Sequence, residues 1–220
     1  MQNDKEMHQL LRTVTKEDIK AMQHIAMYYS FALKEVELML TIWNDDYKLK
    51  HHYLPIEHMK SRIKTVESIH GKLKKKGFEL SAKSVKTNIL DIAGIRIVTA
   101  FLEDIKEVLS LFERSEEIRI VEVKDYISNP KDSGYQSLHV IIEKELTLTD
   151  TKEWIPIEVQ LRTVAMDFWA SAEHKLNYKT KRAVQQEEKD ALLDVAFLVN
   201  KLDKKMSDIR QKIINQNEIE

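Results

Sequence analysis

The spacing of apolar residues changes period twice along this chain, and no other feature restricts its fold as much. Near the N-terminus Met22, Ala26, Tyr29, Leu33, Val36, Leu40, Trp43 and Tyr47 recur at alternating four- and three-residue steps, the stripe of an amphipathic helix. Near the C-terminus Leu192, Val195, Val199, Leu202, Met206, Ile209 and Ile213 do the same. Two uses of these stripes are open: they cover a central sheet, or they form a helix–helix seam between subunits, which a strict seven-residue repeat suits. Between them the pattern becomes that of strands. Residues 89–100, 118–127, 136–146 and 153–162 are strand-like in Ile, Val and alternation, and the last two should pair as an antiparallel hairpin about the polar turn 147–152. Helices are expected at 55–76, 103–115 and 164–179. The fold class is therefore α+β, a mixed sheet of four to five strands flanked by helices, with long N- and C-terminal helices. The expected division is a polar, mobile start over 1–20, a central domain over 21–182, and a helical arm over 183–220.

Charge narrows the function. There are 35 basic and 36 acidic residues, a net charge of −1, which speaks against a general nucleic-acid or membrane-surface binder. No apolar run approaches the roughly 18 residues needed to cross a bilayer. Residues 1–15 lack the apolar core of a signal peptide, and there is no Cys, so disulfides and thiolate metal sites are excluded. A cytoplasmic protein is expected. The four glycines form neither a P-loop nor a G-x-G-x-x-G pattern. A bound nucleotide would have to be held by side-chain charge and metal.

Four segments carry residues suited to that task. From Lys60 to Lys76 seven positive residues stand against one negative, Glu67. On a helix Lys64, Ser68, Lys72 and Lys75 share a face, which is either a solvated surface or a cradle for a phosphate chain. In Asp91-Ile-Ala-Gly94-Ile-Arg96 a carboxylate sits among apolar residues at a strand mouth. It either caps a turn or is relieved by a metal or an Arg, with Gly94 bending the chain so that Asp91 and Arg96 meet. In Glu158-Val-Gln160-Leu-Arg162 the polar residues alternate onto one strand face. That face is an ordinary exposed one, or Glu158 joins Asp91 around Mg²⁺, for which two carboxylates with substrate phosphates suffice. In Lys131-Asp-Ser-Gly134-Tyr135-Gln-Ser137-Leu-His139 a turn delivers Tyr135 to a strand start. There it is either structural or offers its ring to a base, with Ser137 and His139 on the same face.

Together these blocks resemble the synthetase domain of the RelA/SpoT-type alarmone enzymes, in its stand-alone form, the small alarmone synthetases. The match is carried by Arg62-Ile-Lys64, Ser68 and Lys72, by Asp91-Ile-Ala-Gly94-Ile-Arg96, and by Lys124-Asp-Tyr-Ile with Pro130-Lys131-Asp-Ser-Gly134-Tyr135-Gln-Ser-Leu-His139. Glu158-Val-Gln160-Leu-Arg162-Thr and Glu173-His174 with Asn177-Tyr-Lys179 complete it. The resemblance implies a polymerase β-like nucleotidyltransferase fold over 21–182. It also implies transfer of pyrophosphate from ATP to the 3′-hydroxyl of GDP or GTP, without hydrolysis of the product. On this reading Arg62 and Arg96 sandwich adenine, while Lys64, Ser68, Lys72 and Lys75 bind the ATP phosphates. Asp91 and Glu158 hold Mg²⁺; with Arg96 they form the catalytic set, and Glu158 is the candidate base. The guanine stacks on Tyr135, and Lys124, Lys131, His139, Gln160, Arg162, Asp167 and Glu173 complete the acceptor site. Asp167 stands where relatives often carry Asn or His, and its carboxylate could accept from the guanine N1–H and 2-amino group. The loop before Arg62 lacks an aromatic at His58, which speaks against activation by the product. The resemblance further implies a homotetramer, built through the arms, in the bacterial cytoplasm.

Three other readings compete. A nucleotidyltransferase with another acceptor would share the sheet and carboxylates but would not need the Gly134–His139 block. A guanine-nucleotide-binding regulator would keep Tyr135 yet has no use for Glu158. RNA binding, without a basic excess, would be minor at most.

Overall fold

A computed structural model describes residues 16–79, 81–179 and 185–217. Helix α1, Lys16–His51, leads into strand β1, Ile56–Ile63, and then into helices α2, Val66–Lys75, and α3, Ala82–Asn88. Strand β2, Ala93–Thr99, helix α4, Leu102–Arg114, and strands β3, Ile118–Asp125, β4, Leu138–Thr147, and β5, Lys152–Thr163, follow. Helices α5, Val164–Lys179, and α6, Gln186–Asn217, end the described chain. The five strands form one mixed sheet in the order β1-β2-β5-β4-β3. Only β2 and β5 run parallel; the expected β4–β5 hairpin is present and is closed by Leu148 N donating to Thr151 O (2.8 Å).

The expected helix over 55–76 is corrected. Its first half is β1, paired antiparallel to β2 with Arg62 opposite Gly94 and Lys60 opposite Arg96. Ile56, Met59 and Ile63 are spaced three and four apart, which imitates a helix stripe, but ladder hydrogen bonds to β2 win over that pattern. The helix starts after Thr65, whose hydroxyl accepts from Ser68 N (3.3 Å) as an N-cap. Helix α3, absent from the sequence reading, is capped in the same way by Ser81. The segment expected to be mobile over 1–20 lies largely outside the described residues, which are already helical from Lys16. The boundary between 182 and 183 also falls outside them.

One face of the sheet is closed. Tyr29, Leu33, Val36 and Leu40 of α1, Ile69 and Leu73 of α2, Val85 of α3, and Ile105, Val108 and Phe112 of α4 share a single core with Ile95, Ile97, Val140, Ile142, Val159 and Leu161. Each such side chain contributes about 1.5–3 kcal/mol on full burial. The N-terminal stripe therefore covers the sheet. The other face presents Gly94, Arg96, Glu158, Gln160 and His139, and helices α5 and α6 cover only its margin, where Met166, Trp169, Ala170, Ala196 and Val199 form a second, smaller core.

Candidate active site

Strand register assembles the open face. Lys60 pairs with Arg96, Arg96 with Gln160, Gln160 with His139, and His139 with Lys124. Since side chains opposite one another on a sheet share a face, these five form one polar row across all the strands. The adjacent row places Arg62, Gly94 and Glu158 side by side. Between the rows lies a cleft of about 150 Å³ lined by Lys60, Ser61, Arg62, Gly94, Ile95, Arg96, Glu158 and Gln160. Gly94 does not bend the chain as expected. It lies within β2 with no left-handed torsion, and by lacking a side chain it leaves the floor between Arg62 and Glu158 open.

One end of the cleft is cationic. Lys64, tied to the sheet by its backbone N–H on Ile92 O (2.7 Å), donates its ammonium to Asp91 Oδ2 (2.7 Å), and Lys72 of α2 donates to the same oxygen (2.6 Å). Burial pushes the Asp91 carboxyl up, but the two ammoniums outweigh it and hold the group below the usual carboxylate range. Asp91 Oδ1 is buried without a hydrogen-bond partner, an acceptor aimed at something the chain itself does not supply. Ser68 lies exposed in the first turn of α2, and Lys75 stands exposed in its last. Lys64 and Lys72 are thus brought together with Asp91, although Lys64 precedes the helix rather than sharing its face.

Glu158 occupies the middle. Its Oε2 accepts from Gln160 Nε2 (2.9 Å), and Oε1 lies 3.6 Å from His139 Nδ1, a charge contact rather than a hydrogen bond. Burial raises its carboxyl, but His139 and the Gln160 amide more than offset this, and Glu158 is held ionised at neutral pH. Asp91 is close enough for its charge to oppose that lowering.

The other end is aromatic. The Tyr135 hydroxyl meets His139 Nε2 (2.7 Å) and accepts from Arg162 Nη2 (2.5 Å). Arg162, almost wholly buried, also donates through Nη1 to Asp167 Oδ1 (3.0 Å), and Arg96 Nη1 reaches that same oxygen at 3.1 Å. Burial and the neighbouring Arg162 pull the Arg96 guanidinium below its ordinary value, with Asp167 opposing. The Lys131 ammonium stands over the Tyr126 and Tyr135 rings at 4.6 and 4.9 Å, a cation–π arrangement. Lys124 is exposed on β3 and paired with Glu122 (2.9 Å), which raises its pKa.

Several placements differ from expectation. Tyr135 precedes β4, which starts at Leu138. Ser137 does not share its face: it is buried, and its hydroxyl donates to Leu161 O (3.1 Å), stapling β4 to β5. Glu173 lies on α5, six residues beyond Asp167 or about 9 Å along the axis. Tyr126 was missed among the site residues. It stands edge-on to His139 (5.2 Å) and Tyr135 (6.2 Å), presented by a turn in which Asp125 Oδ1 accepts from Ile127 N and Ser128 N. The signal was the Asp125-x-x-Ser128 spacing after a strand, an Asx-turn pattern.

Residues 61–183 match the family model described as the region found in RelA / SpoT proteins. The chain is 45% identical over 187 residues to a GTP pyrophosphokinase, YwaC, of Bacillus subtilis, covering 85% of this chain and 89% of that one. The fold is similar to the small alarmone synthetase 1 from Bacillus subtilis solved with its product pppGpp, with a TM-score of 0.80, 32% identity, and 88% and 98% of the two chains covered. The same enzyme bound to AMPCPP gives a TM-score of 0.74 at 29% identity, covering 89% and 99%.

Proposed function

The chain belongs to the RelA/SpoT family, and from that premise we propose that it is a GTP pyrophosphokinase whose reaction runs on the open face of the sheet. It transfers the β,γ-pyrophosphoryl group of ATP to the ribose 3′-oxygen of GDP or GTP, giving ppGpp or pppGpp and AMP. The observation that carries this reading is the order of groups along the cleft. Two lysines on Asp91 lie at one end, Glu158 is central, and Tyr135, His139 and Lys131 lie at the other. The bound product and ATP analogue in the similar enzyme support two nucleotide subsites.

The reaction forms a bond from the acceptor 3′-oxygen to Pβ and breaks the bond from Pβ to the bridging oxygen of AMP. Such transfers depend on positioning and charge neutralisation more than on covalent chemistry. Arg62 and Arg96, flanking the cleft, offer planar guanidiniums to adenine. Lys64, Lys72, Lys75 and Ser68 take the donor's phosphates. Glu158, ionised and central, receives the 3′-hydroxyl proton, and Gln160 and His139 hold its two oxygens in place. The Tyr135 ring takes the guanine, with Tyr126 and Lys131 behind it, while Lys124 and His139 face the acceptor's phosphates. Arg162 is buried with both Nη atoms engaged, so it positions Tyr135 and Asp167 for the acceptor. Asp167 is already committed to two arginines through Oδ1, which leaves Oδ2 for the guanine edge.

Among the described residues no group of three or more His, Asp or Glu could hold a metal. Asp91 and Glu158 nevertheless fit Mg²⁺, because the buried Asp91 Oδ1 lacks a partner and two carboxylates with phosphate oxygens make a usual Mg²⁺ set. The ion would neutralise charge on the transferred phosphates.

Two uncovered stripes support assembly as a homotetramer. On α1 Met27, Phe31, Leu38, Ile42 and Leu49 are exposed, opposite the side that covers the sheet. On α6 Val195, Leu198, Leu202, Met206, Ile209 and Ile213 are exposed, whereas Asp203, Ser207 and Arg210 face the chain's own domain. Two separate self-complementary patches close four subunits into one assembly. No helix among the described residues is long and apolar enough to cross a membrane. The substrates place the enzyme in the bacterial cytoplasm, and its product places it in the stringent response.

The acceptor assignment is tested by Tyr135→Ala. A base–aromatic stack is worth about 1–3 kcal/mol, so the KM for GDP is expected to rise about tenfold or more while that for ATP barely moves. A shift in the ATP constant instead would mean that the two subsites are reversed.

A further inference from the structure

The turn 131–135 carries the acceptor residues Lys131 and Tyr135, and it is closed on itself. Gly134 N donates to Lys131 O (2.7 Å) and Lys131 N to Tyr135 O (3.2 Å). Its apex, Gly134, has φ +84° and is buried against α6. A Cβ at that position would lie 2.5 Å from the Ala196 Cβ and 3.1 Å from Leu193 Cδ1, far inside contact distance. Glycine is therefore required twice, for its torsion and because helix and turn touch backbone to side chain. Tyr135 itself packs on the small core that contains Ala196.

Helix α6 is fixed independently of this turn. Trp169 Nε1 donates to Leu192 O (2.9 Å), Thr163 Oγ1 to Asp203 Oδ2 (2.7 Å), and Arg210 Nη1 to Asp104 Oδ1 (2.7 Å). Beside the Gly134 contact, turn and helix part to leave a cavity of about 630 Å³ between them. The brace on the turn is thus local, and space exists for the turn to shift if the brace changes.

We infer that Ala196 and Leu193 are positioning residues for the acceptor nucleotide: α6 acts as a strut whose small residue at 196 sets where Lys131 and Tyr135 stand. This rests on the assignment of the turn to the acceptor subsite. The donor end lies on α2 and β2, away from the Gly134–Ala196 contact. The same helix carries the exposed apolar stripe, so packing by a partner subunit on its outer side would hold the strut and hence the turn.

Ala196→Leu inserts bulk at the contact and is expected to raise the KM for GDP about tenfold, since small misplacements of a positioned group are costly. The KM for ATP should stay within about twofold. If Ala196→Leu does not fold, Leu193→Ala carries the test by removing the second contact, and a selective rise for GDP is again expected. Constants that rise together, or an unchanged GDP constant in a folded Ala196→Leu or Leu193→Ala protein, would overturn the inference. Failure of the native protein to make any (p)ppGpp would count against the parent reading instead.

Discussion

Glu158→Gln is expected to lower turnover by roughly three orders of magnitude, the scale of removing a main electrostatic group from an active site. The substitution keeps shape and lets the side-chain oxygen still accept from Gln160. It removes the charge that His139 and Gln160 stabilise, and with it the proposed proton acceptor and half of the carboxylate pair proposed for Mg²⁺. Lys124, whose pKa Glu158 helps to raise, loses part of its field, but it is exposed and paired with Glu122, so little folding energy is at stake. Steady-state kinetics beside a thermal melt checks the expectation. A folded Glu158→Gln enzyme within tenfold of native would remove Glu158 from the reaction.

Replacing Leu202 and Ile209 together by Glu is expected to break the assembly outright. Both are exposed on α6, on the side away from Asp203, Ser207 and Arg210. Helices ordinarily bury their apolar face and expose the polar one; here the polar side docks on the chain's own domain through Thr163, Glu103 and Asp104. The apolar side needs another cover, and charge there cannot be buried against its symmetry mate without a cost of several kcal/mol. Light scattering should give four times the 25.9 kDa chain mass for the native protein and a smaller species for the double variant. A native monomer at micromolar concentration would end the proposal of assembly.

Much of the candidate site was legible because its residues lie on single elements. The alternation in β5 separates Glu158, Gln160 and Arg162 from Ile157, Val159 and Leu161 without reference to any partner, and Asp91 among apolar neighbours declares its own cost. What depends on register was not legible. The parallel pairing of β2 with β5 joins segments some sixty residues apart, with no local signal, yet it alone sets Gly94 beside Glu158 and Arg96 beside Gln160. The chain of contacts from Asp167 through Arg162 and Tyr135 to His139 is likewise a product of tertiary packing, so the burial of Arg162 behind Tyr135 could not be read from the strand pattern. Residues 55–76 misled because Ile56, Met59 and Ile63 fit the helix period and share a strand side only through a register shift between Ile56 and His58; Thr65, a good cap before Ser68, marked the true helix start. On α6 the apolar stripe was seen, but Val199 leaves it to join an inward face with Ala196, Asp203, Ser207 and Arg210, and that mixed face follows no hydrophobic pattern.

The central claim is a transfer of pyrophosphate between two nucleotides on one sheet face. Incubating the native protein with ATP, GDP and Mg²⁺ and separating the nucleotides by anion exchange tests it most directly. AMP and ppGpp should accumulate together in equal amounts, and neither should form when either substrate is omitted. Formation of ADP, release of free pyrophosphate with a nucleotidylated acceptor, or GDP left unchanged would contradict it.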